Sequence, residues 1–179
     1  VSSDLSGAAR IPPLFAADSQ DEEQLITWAK QQTAMTHNSD DVVNTAEWMV
    51  RTAVRIFDGQ TPASAMTDSL SVMPDGLRLQ KSVMSGLESV DQETREVIQS
   101  FGQMCAVSAA LPSAVHLVAK YESNFKEAMI ENVMAGGDSS ARGILAGFLI
   151  AAHQGEGCIP QEWIHDMTAN ERILKALAG

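Results

Sequence analysis

The sequence predicts an all-α protein, and three observations lead to that prediction. Apolar residues recur at helical spacings of three and four along the 179-residue chain. Few segments alternate apolar and polar residues as a half-buried strand would. Aromatic residues, which favour strands, make up only 5% of the chain. With 45% apolar residues the chain can enclose one sizeable core, so residues 1–179 are interpreted as a single domain.

The first helix is predicted over Asp21 to Thr36, because acidic residues occupy its first turn and apolar residues follow at helical spacing. Asp18 or Ser19 is expected to cap it. Its predicted inward residues are Leu25, Trp28 and Met35.

The second helix, Asp41 to Asp58, has the most regular pattern in the chain. Gly59 follows it and favours a left-handed stop, whereas three possible caps precede it, namely Asn38, Ser39 and Asp40. Apolar residues at spacings of four, three, four and three define its inward face, which consists of Val42, Ala46, Met49, Ala53 and Ile56.

The middle of the chain is divided by prolines and glycines. Pro62 is predicted to open a short helix, and the turn Pro74-Asp75-Gly76 separates it from the next helix. A further helix is expected over Asp91 to Met104, with Val97, Ile98 and Phe101 on one side. Leu111-Pro112-Ser113 is predicted to start another, because proline suits the first helical position. That helix would bury Ala114, Leu117, Val118 and Tyr121.

The last third of the chain predicts a helix over Glu122 to Met134, a glycine turn, and a helix over Ser139 to His153. The first of these would face inward through Phe125, Met129 and either Ile130 or Val133. A loop at Gly155-Glu156-Gly157 and a corner at Ile159-Pro160 precede the final helix. Methionines at apolar helix positions are interpreted as adaptable core packing, among them Met35, Met49, Met73, Met84, Met104, Met129 and Met134.

Composition excludes several classes of partner. The formal net charge of −11 opposes binding to nucleic acid or to an anionic membrane surface. The longest apolar run, Ile144 to Ala152, is too short to span a bilayer. Cys105 and Cys158 stand far apart and outside any zinc-like spacing, which indicates a reducing, cytoplasmic setting. His116 and His153 are interpreted as packing or capping residues, and no catalytic triad is indicated.

The stretch Gly136-Gly137-Asp138-Ser139 is the strongest candidate for a functional site. Glycines permit backbone conformations that other residues avoid, and an aspartate at a helix start either caps the helix or holds a cation. Both readings of Asp138 stay open on the pattern alone. In the helix that follows, small residues recur every four positions, so one face allows close approach of another backbone; they are Gly143, Gly147 and Ala151.

Several motifs occur in the order found in the C-terminal half of the ADP-ribosylglycohydrolase superfamily, which this chain resembles. They are Leu111-Pro112-Ser113-Ala114, Phe125-Lys126-Glu127-Ala128, Asn132 with Gly136-Gly137-Asp138-Ser139, Gly147, Gly155, and Ile159-Pro160 with Trp163. Thr36-His37 resembles the Thr-His element of the same superfamily, and Ser6-Gly7-Ala8-Ala9-Arg10 resembles its glycine-rich ribose-phosphate loop. The chain is then either a complete all-α domain or the C-terminal portion of a larger one.

The resemblance implies an orthogonal bundle of helices with two Mg²⁺ ions in a central cleft, where the glycosidic bond of ADP-ribose is cleaved. It assigns Asp138 and Ser139 to the metal and Ser6, Gly7, His37, Gly136 and Gly137 to an ADP-ribose-like ligand. It assigns no catalytic residue here. By itself, a histidine at a helix end such as His37 also suits a capping role.

The metal motif departs from the superfamily pattern Gly-Gly-Asp-Thr-Asp-Thr. Ser140 stands in place of the second aspartate and Ala141 in place of the last threonine, as in the branch related to J-type crystallins. Two function classes therefore remain, a hydrolase and a non-catalytic relative with a binding or structural role. The superfamily's other acidic metal motifs have no counterpart in these residues, so a companion chain or an upstream segment is expected to complete the site.

Arg142 suggests a physical consequence of this departure. It lies four residues after Asp138, the spacing that brings an acid and a base together on a helix. One hypothesis is that its guanidinium neutralises Asp138 in a cleft that no longer needs Mg²⁺. The alternative is an ordinary surface pair worth less than about 1 kcal/mol.

Overall fold

The computed structural model describes residues 3–16, 21–74 and 78–177, and this part of the chain is helical, with one isolated β-bridge between Asp4 and Ala106. The all-α prediction is confirmed. The α-helices are α1 (Ser6–Ala9), α2 (Glu22–Ala34), α3 (Asp40–Phe57), α4 (Pro62–Ser71), α5 (Arg78–Glu88), α6 (Thr94–Phe101), α7 (Val107–Lys120), α8 (Phe125–Met134), α9 (Ser139–Gln154), α10 (Gln161–His165) and α11 (Asn170–Leu177). Short 3-10 turns cover Pro12–Ala16 and Glu156–Cys158.

Helix α7 lies at the centre of the fold. Every residue from Val107 to Val118 except Ser108 is buried, so this helix has no solvent face over three turns. It packs against α5, α9, α6, α4 and α8. Because these neighbouring helices all pack on α7, that packing positions the loops at their ends.

The predicted start of α7 at Pro112 is wrong. The helix begins four residues before Leu111, and Pro112 lies inside it. Proline cannot donate the backbone hydrogen bond of a helix interior, and its ring crowds the preceding turn. Complete burial against neighbouring helices outweighs that cost. The next residue, Ser113, donates its hydroxyl to the Ala109 carbonyl oxygen at 2.9 Å, so its polar side chain is satisfied inside the core.

Helices α2 and α3 match their predictions closely, and the five predicted inward residues of α3 are all buried. Ser39 occupies the N-cap of α3, and Gly59 has the positive φ expected of a left-handed stop. Met35 is 84% exposed, however, so its predicted inward position is wrong, because the backbone leaves α2 at that residue. The two helices are joined by the ion pair of Arg51 in α3 with Glu22 in α2 at 3.1 Å. Arg51 also pairs with Glu47 of its own helix at 2.9 Å.

Several predicted boundaries shift by one to three residues. Helix α6 begins at Thr94 and ends before Gly102, whose φ is 98°, so it is shorter than predicted. Helix α8 begins at Phe125, since the Asn124 side chain caps it by accepting a hydrogen bond from the Glu127 amide at 3.2 Å. Helices α4 and α9 begin where predicted. The predicted caps and turn at Asp18, Ser19, Asp75 and Gly76 lie outside the described residues.

The small-residue face of α9 receives side chains of α8 rather than another backbone. A Cβ atom added to Gly143 would lie 2.7 Å from Nδ2 of Asn132, and one added to Gly147 would lie 3.4 Å from Sδ of Met129. The prediction of close packing at this face is therefore correct in position and wrong in partner.

Several apolar residues that were predicted to face the core lie on the surface. Ile130 and Val133 of α8 are both exposed, and together with Met129, Met134 and Trp163 they line an open apolar groove. Among the methionines, Met49, Met66 and Met73 are buried. The core interpretation is wrong for the exposed Met35, Met84, Met104 and Met134. In the described part of the chain, no helix combines the length and apolar character needed to cross a membrane.

The contact between α5 and α7 depends on the absence of a side chain at Gly86. A Cβ atom there would lie 2.5 Å from the Pro112 carbonyl oxygen and 2.7 Å from Cβ of Val115. Gly86→Ala is therefore expected to reduce the free energy of unfolding by about 1–3 kcal/mol, as overpacked cores do. Urea denaturation followed by circular dichroism measures this.

Gly157→Ala is the matched control, since no atom lies within 4 Å of a Cβ atom at that position and its φ is not in the left-handed region. Its effect should stay within about 0.5 kcal/mol. Equal stability of the two variants would contradict the close contact between α5 and α7.

Candidate functional site

Four chain segments meet at one place, which we call the candidate site: residues 4–7, 36–37, 103–105 and 136–140. The Leu5 amide donates to the Cys105 carbonyl oxygen at 2.9 Å, which joins the first segment to the loop between α6 and α7. The Asp138 amide donates to the Gln103 carbonyl oxygen at 3.0 Å, which joins that loop to the turn between α8 and α9. Segments remote in sequence are thus tied together through the backbone.

The two glycines of the α8–α9 turn are required by local packing. Gly136 and Gly137 have φ values of 72° and 67°, which glycine adopts readily. A Cβ atom on Gly137 would lie only 2.3 Å from Cβ and the carbonyl oxygen of Gln103. The Gln103 side chain also donates to the Ala135 carbonyl oxygen at 2.5 Å. Gln103 therefore covers the turn, and both glycines are needed for that contact.

Asp138 caps helix α9. Its Oδ1 atom accepts a hydrogen bond from the Ser140 amide at 3.3 Å and another from the Ser140 hydroxyl at 2.9 Å. The capping interpretation is confirmed, and the metal-binding interpretation stays a prediction. The residue that replaces the second aspartate of the superfamily motif now donates to the remaining one, so part of the Asp138 oxygen capacity is used internally.

Arg142 does not form the predicted pair with Asp138. Its side chain is fully buried, so the surface-pair alternative is wrong as well. Nε donates to Oδ1 of Asn132 at 2.6 Å, and Nη2 donates to the carbonyl oxygens of Asn132 at 2.7 Å and of Gly136 at 2.9 Å. Side chains on a helix point toward its N-terminus, which here brings the guanidinium to the end of α8 rather than to the cap.

Arg142 still influences the site through its charge. Burial lowers the pKa of the guanidinium, and the negative charge of Asp138 acts in the opposite direction. The side chain remains cationic, as arginine does in proteins. It thus places a buried positive charge behind the N-terminus of α9, while Asn132 also donates to the Ser139 carbonyl oxygen at 2.9 Å and completes the support of the turn.

Two residues that sequence reasoning did not select lie beside Asp138. One ligand atom of each of Asp4, Cys105 and Asp138 falls within 4.8 Å of the others. Asp4 is 134 residues from Asp138 in sequence, and no motif links the two, so no local signal identified it. The backbone pairing of residues 3–5 with the loop before α7 brings Asp4 to this position.

The protonation of this trio is determined by mutual contacts. Partial burial raises the pKa of Asp4, but hydrogen bonds from the amide and hydroxyl of Ser6 and from the Cys105 thiol outweigh it, so the pKa lies below its ordinary value. The hydrogen bond to Asp4 and then its negative charge raise the pKa of the Cys105 thiol. Cys105 is therefore exposed but protonated at neutral pH, and it is a poor nucleophile.

His37 packs directly on the first segment. A Cβ atom on Gly7 would lie 2.6 Å from Cβ and Cγ of His37, so glycine at this position allows the ring to lie against the backbone. Nδ1 of His37 lies 2.8 Å from the Thr36 hydroxyl, which also accepts a hydrogen bond from Arg10 at 2.5 Å. His37 also lowers the pKa of Asp4 electrostatically. The ring therefore lies on the same side of the site as Asp4.

The structure brings the predicted site residues together as one group. Ser6, Gly7 and His37 stand on one side and the α8–α9 turn on the other, with Asp4 between them. Ser139 lies within the turn, where its amide donates to the Gly137 carbonyl oxygen at 3.0 Å. Whether these residues bind a ligand or a metal stays a prediction.

Comparison with known proteins agrees with this fold. A family model described as ADP-ribosylglycohydrolase matches residues 2–179, and the chain belongs to that family. It is similar to Crystallin J1A of Tripedalia cystophora, with 24% identity over 168 residues. That match covers 93% of this chain and 51% of the relative, so the chain spans about half the length of the curated relative it matches.

The donors at the candidate site do not match Mg²⁺ alone. Two carboxylates suit that ion, which takes oxygen ligands at strict octahedral geometry. The third donor is a sulfur atom, which suits softer ions. Among the described residues the turn supplies a single carboxylate, because Ser140 replaces the second. The set is therefore mixed: its ligand atoms are close enough together to hold a metal ion, but it lacks the all-oxygen character of a magnesium centre.

The contact between Asp4 and Cys105 predicts a change in thiol reactivity. Asp4→Asn removes the charge that opposes thiolate formation, so alkylation of Cys105 by iodoacetamide at pH 8 should accelerate severalfold. Mass spectrometry of the labelled peptides measures the rate, with Cys158 of the same sample as internal reference.

Asp40→Asn is a control, since Asp40 is exposed in the first turn of α3 and outside the candidate site. It should leave the rate at Cys105 unchanged. An unchanged rate in Asp4→Asn would show that the carboxylate does not govern the thiol.

Proposed function

We propose that this chain carries an ADP-ribosylglycohydrolase-type site that binds ADP-ribose, or a nucleotide containing it, and acts on its glycosidic bond. The observation that supports the proposal is the convergence of residues 4–7, His37 and the glycine turn in a protein of this family. His37 and Gly7 would contact the ribose and phosphate groups, whereas Asp4 and Asp138 would face a cation. Because the chain spans about half the length of its curated relative, any activity of the whole protein is itself a proposal.

An anionic ligand at the candidate site requires positive charge nearby. A pyrophosphate is anionic, and both Asp4 and Asp138 would repel it across a short distance. Arg10 and the buried Arg142 supply positive charge nearby, and the N-terminus of α9 adds its dipole. A divalent cation between the carboxylates and the ligand would remove the repulsion. Binding should therefore depend on such a cation.

The chain's own residues contribute positioning to the proposed reaction. Gln103, Asn132 and Arg142 hold the α8–α9 turn, and Asp138 is held in turn by its hydrogen bonds to Ser140. A bound divalent cation would supply charge stabilisation for the departing glycosidic oxygen and a water of lowered pKa. No catalytic residue is assigned, because no described contact orients the carboxylate of Asp4 or of Asp138 toward a glycosidic bond.

A second candidate is a catalytically inactive relative with a binding or structural role. The hydrogen bond from Ser140 to Asp138 favours it. Ser140 stands where the superfamily has its second acidic ligand, and its hydroxyl donates to the remaining carboxylate. The similarity to Crystallin J1A is consistent with this alternative. The two candidates share the fold and differ in turnover.

Calorimetric titration with ADP-ribose tests the binding proposal. Saturable binding is expected in the presence of Mg²⁺ or Mn²⁺, and His37→Ala should weaken it about tenfold or more, because a ligand contact worth roughly 1.4 kcal/mol is lost. His153→Ala, at an exposed position near the end of α9, is the matched control and should bind as the native chain does. Absence of saturable binding under all these conditions would refute the proposal for this chain.

Hydrolysis is tested separately with a peptide that carries ADP-ribose, by chromatographic detection of released ADP-ribose. A hydrolase should lose at least about tenfold in rate in Asp138→Asn, while Asn still caps helices well and leaves the thermal midpoint nearly unchanged. Binding without product formation by the native chain would support the inactive relative.

A further inference from the structure

A buried hydrogen-bond network, separate from the candidate site, crosses the interface of α5, α6 and α7. Its centre is His116, which lies on α7 and has no exposed surface. Nδ1 of His116 lies 2.8 Å from the Ser89 hydroxyl just after α5, and Nε2 lies 3.1 Å from the Thr94 hydroxyl at the start of α6. The Thr94 hydroxyl in turn lies 2.7 Å from the Tyr121 hydroxyl. One ring thus joins three helices.

The hydroxyl protons determine the tautomer of the ring. The Ser89 hydroxyl donates its proton to the Gly86 carbonyl oxygen at 2.7 Å, so toward His116 it must act as the acceptor. Nδ1 therefore carries the proton, and Nε2 accepts from Thr94. Since the Thr94 hydroxyl donates its proton to His116, the Tyr121 hydroxyl donates to the Thr94 oxygen. Neutral His116 satisfies every polar atom of this network.

A second proton on His116 is resisted by its surroundings. Nε2 would become a donor, and the hydroxyls of Thr94 and Tyr121 would both have to rotate. The new positive charge on the ring would be buried, and the positive charge of Lys120 would repel it. Burial and then Lys120 lower the pKa of His116 to about 4, and together they outweigh a hydrogen bond to the Ser89 backbone that acts in the opposite direction. Lys120 is the charged side chain that contributes to this shift, whereas the other charged side chains described on the surrounding elements do not contribute to it: Glu88, Asp91, Glu93, Arg95, Glu96, Glu127, Glu131 and Arg142.

We propose that His116 is an acid-sensitive latch that holds the α5–α6 turn and α6 against α7 when it is neutral. Protonation favours release of α6, and the loop after α6 carries Gln103 and Cys105 of the candidate site. Acid would thus loosen one wall of that site before the rest of the core. The inference depends on the buried network and is independent of ADP-ribose binding.

The sign and range of the effect follow from linkage. The unfolded chain protonates its histidine near pH 6.5 and the folded chain only near pH 4, so the unfolded state binds more protons between these values. The stabilisation is complete above pH 6.5 and is lost as the pH falls toward 4. At pH 5 the folding equilibrium constant should be about thirtyfold lower than at pH 7.5 from this group alone.

Urea denaturation of the native chain and of His116→Gln at pH 7.5 and pH 5 tests the latch. Glutamine supplies a donor and an acceptor but does not titrate, so the thirtyfold loss should disappear from the variant. His153→Gln, at an exposed position, should retain the full loss. The same pH dependence in the native chain and in His116→Gln would overturn the proposal.

Nitrogen-15 NMR of the native chain provides a test that does not depend on the folding of a variant. At pH 7 the His116 ring should be protonated at Nδ1 and not at Nε2. On acidification toward pH 5, amide protection factors, which correct for the slower intrinsic exchange at lower pH, should fall in residues 86–105 before they fall in α3. Protonation at Nε2, or uniform exchange across both regions, would contradict the latch.

Discussion

The burial of α7 is the constraint on which the other helices depend. A helix without a solvent face must satisfy each polar group internally, and it does so through Ser113 to a carbonyl oxygen and through His116 to two hydroxyls. Helices α5, α6, α8 and α9 are placed by covering it. Two segments of the candidate site, residues 103–105 and 136–140, join these same helices, so their position follows from the packing around α7.

The glycine turn is held in shape by contacts within the protein. Gln103 covers Gly137 from one side, and Arg142 binds the carbonyl oxygens from the other. These contacts use polar groups that would otherwise be unsatisfied in the interior. The turn is thus fixed by the protein itself, and a bound cation would add charge neutralisation rather than shape.

Local patterns predicted the helices because apolar spacing and caps act within a few residues, as at Ser39 and Gly59. Pro112 was misread because its helical position depends on burial by distant helices. Spacing on the helix correctly associated Arg142 with the turn but gave the wrong partner, since side-chain direction and the carbonyls of Asn132 and Gly136 decide it. No local sequence pattern indicates Asp4 as a site residue, because only the fold brings it close to Asp138.

The surface methionines have a chemical consequence. Met35, Met104 and Met134 stand one or two residues before His37, Cys105 and Gly136, and each is more than half exposed. Conversion of methionine to its sulfoxide makes an apolar side chain polar, and exposed thioethers meet an oxidant first. Buried Met49 and Met66 are shielded by the core. Mild oxidative damage would therefore alter the chemistry of the rim of the candidate site while the helical framework stays intact.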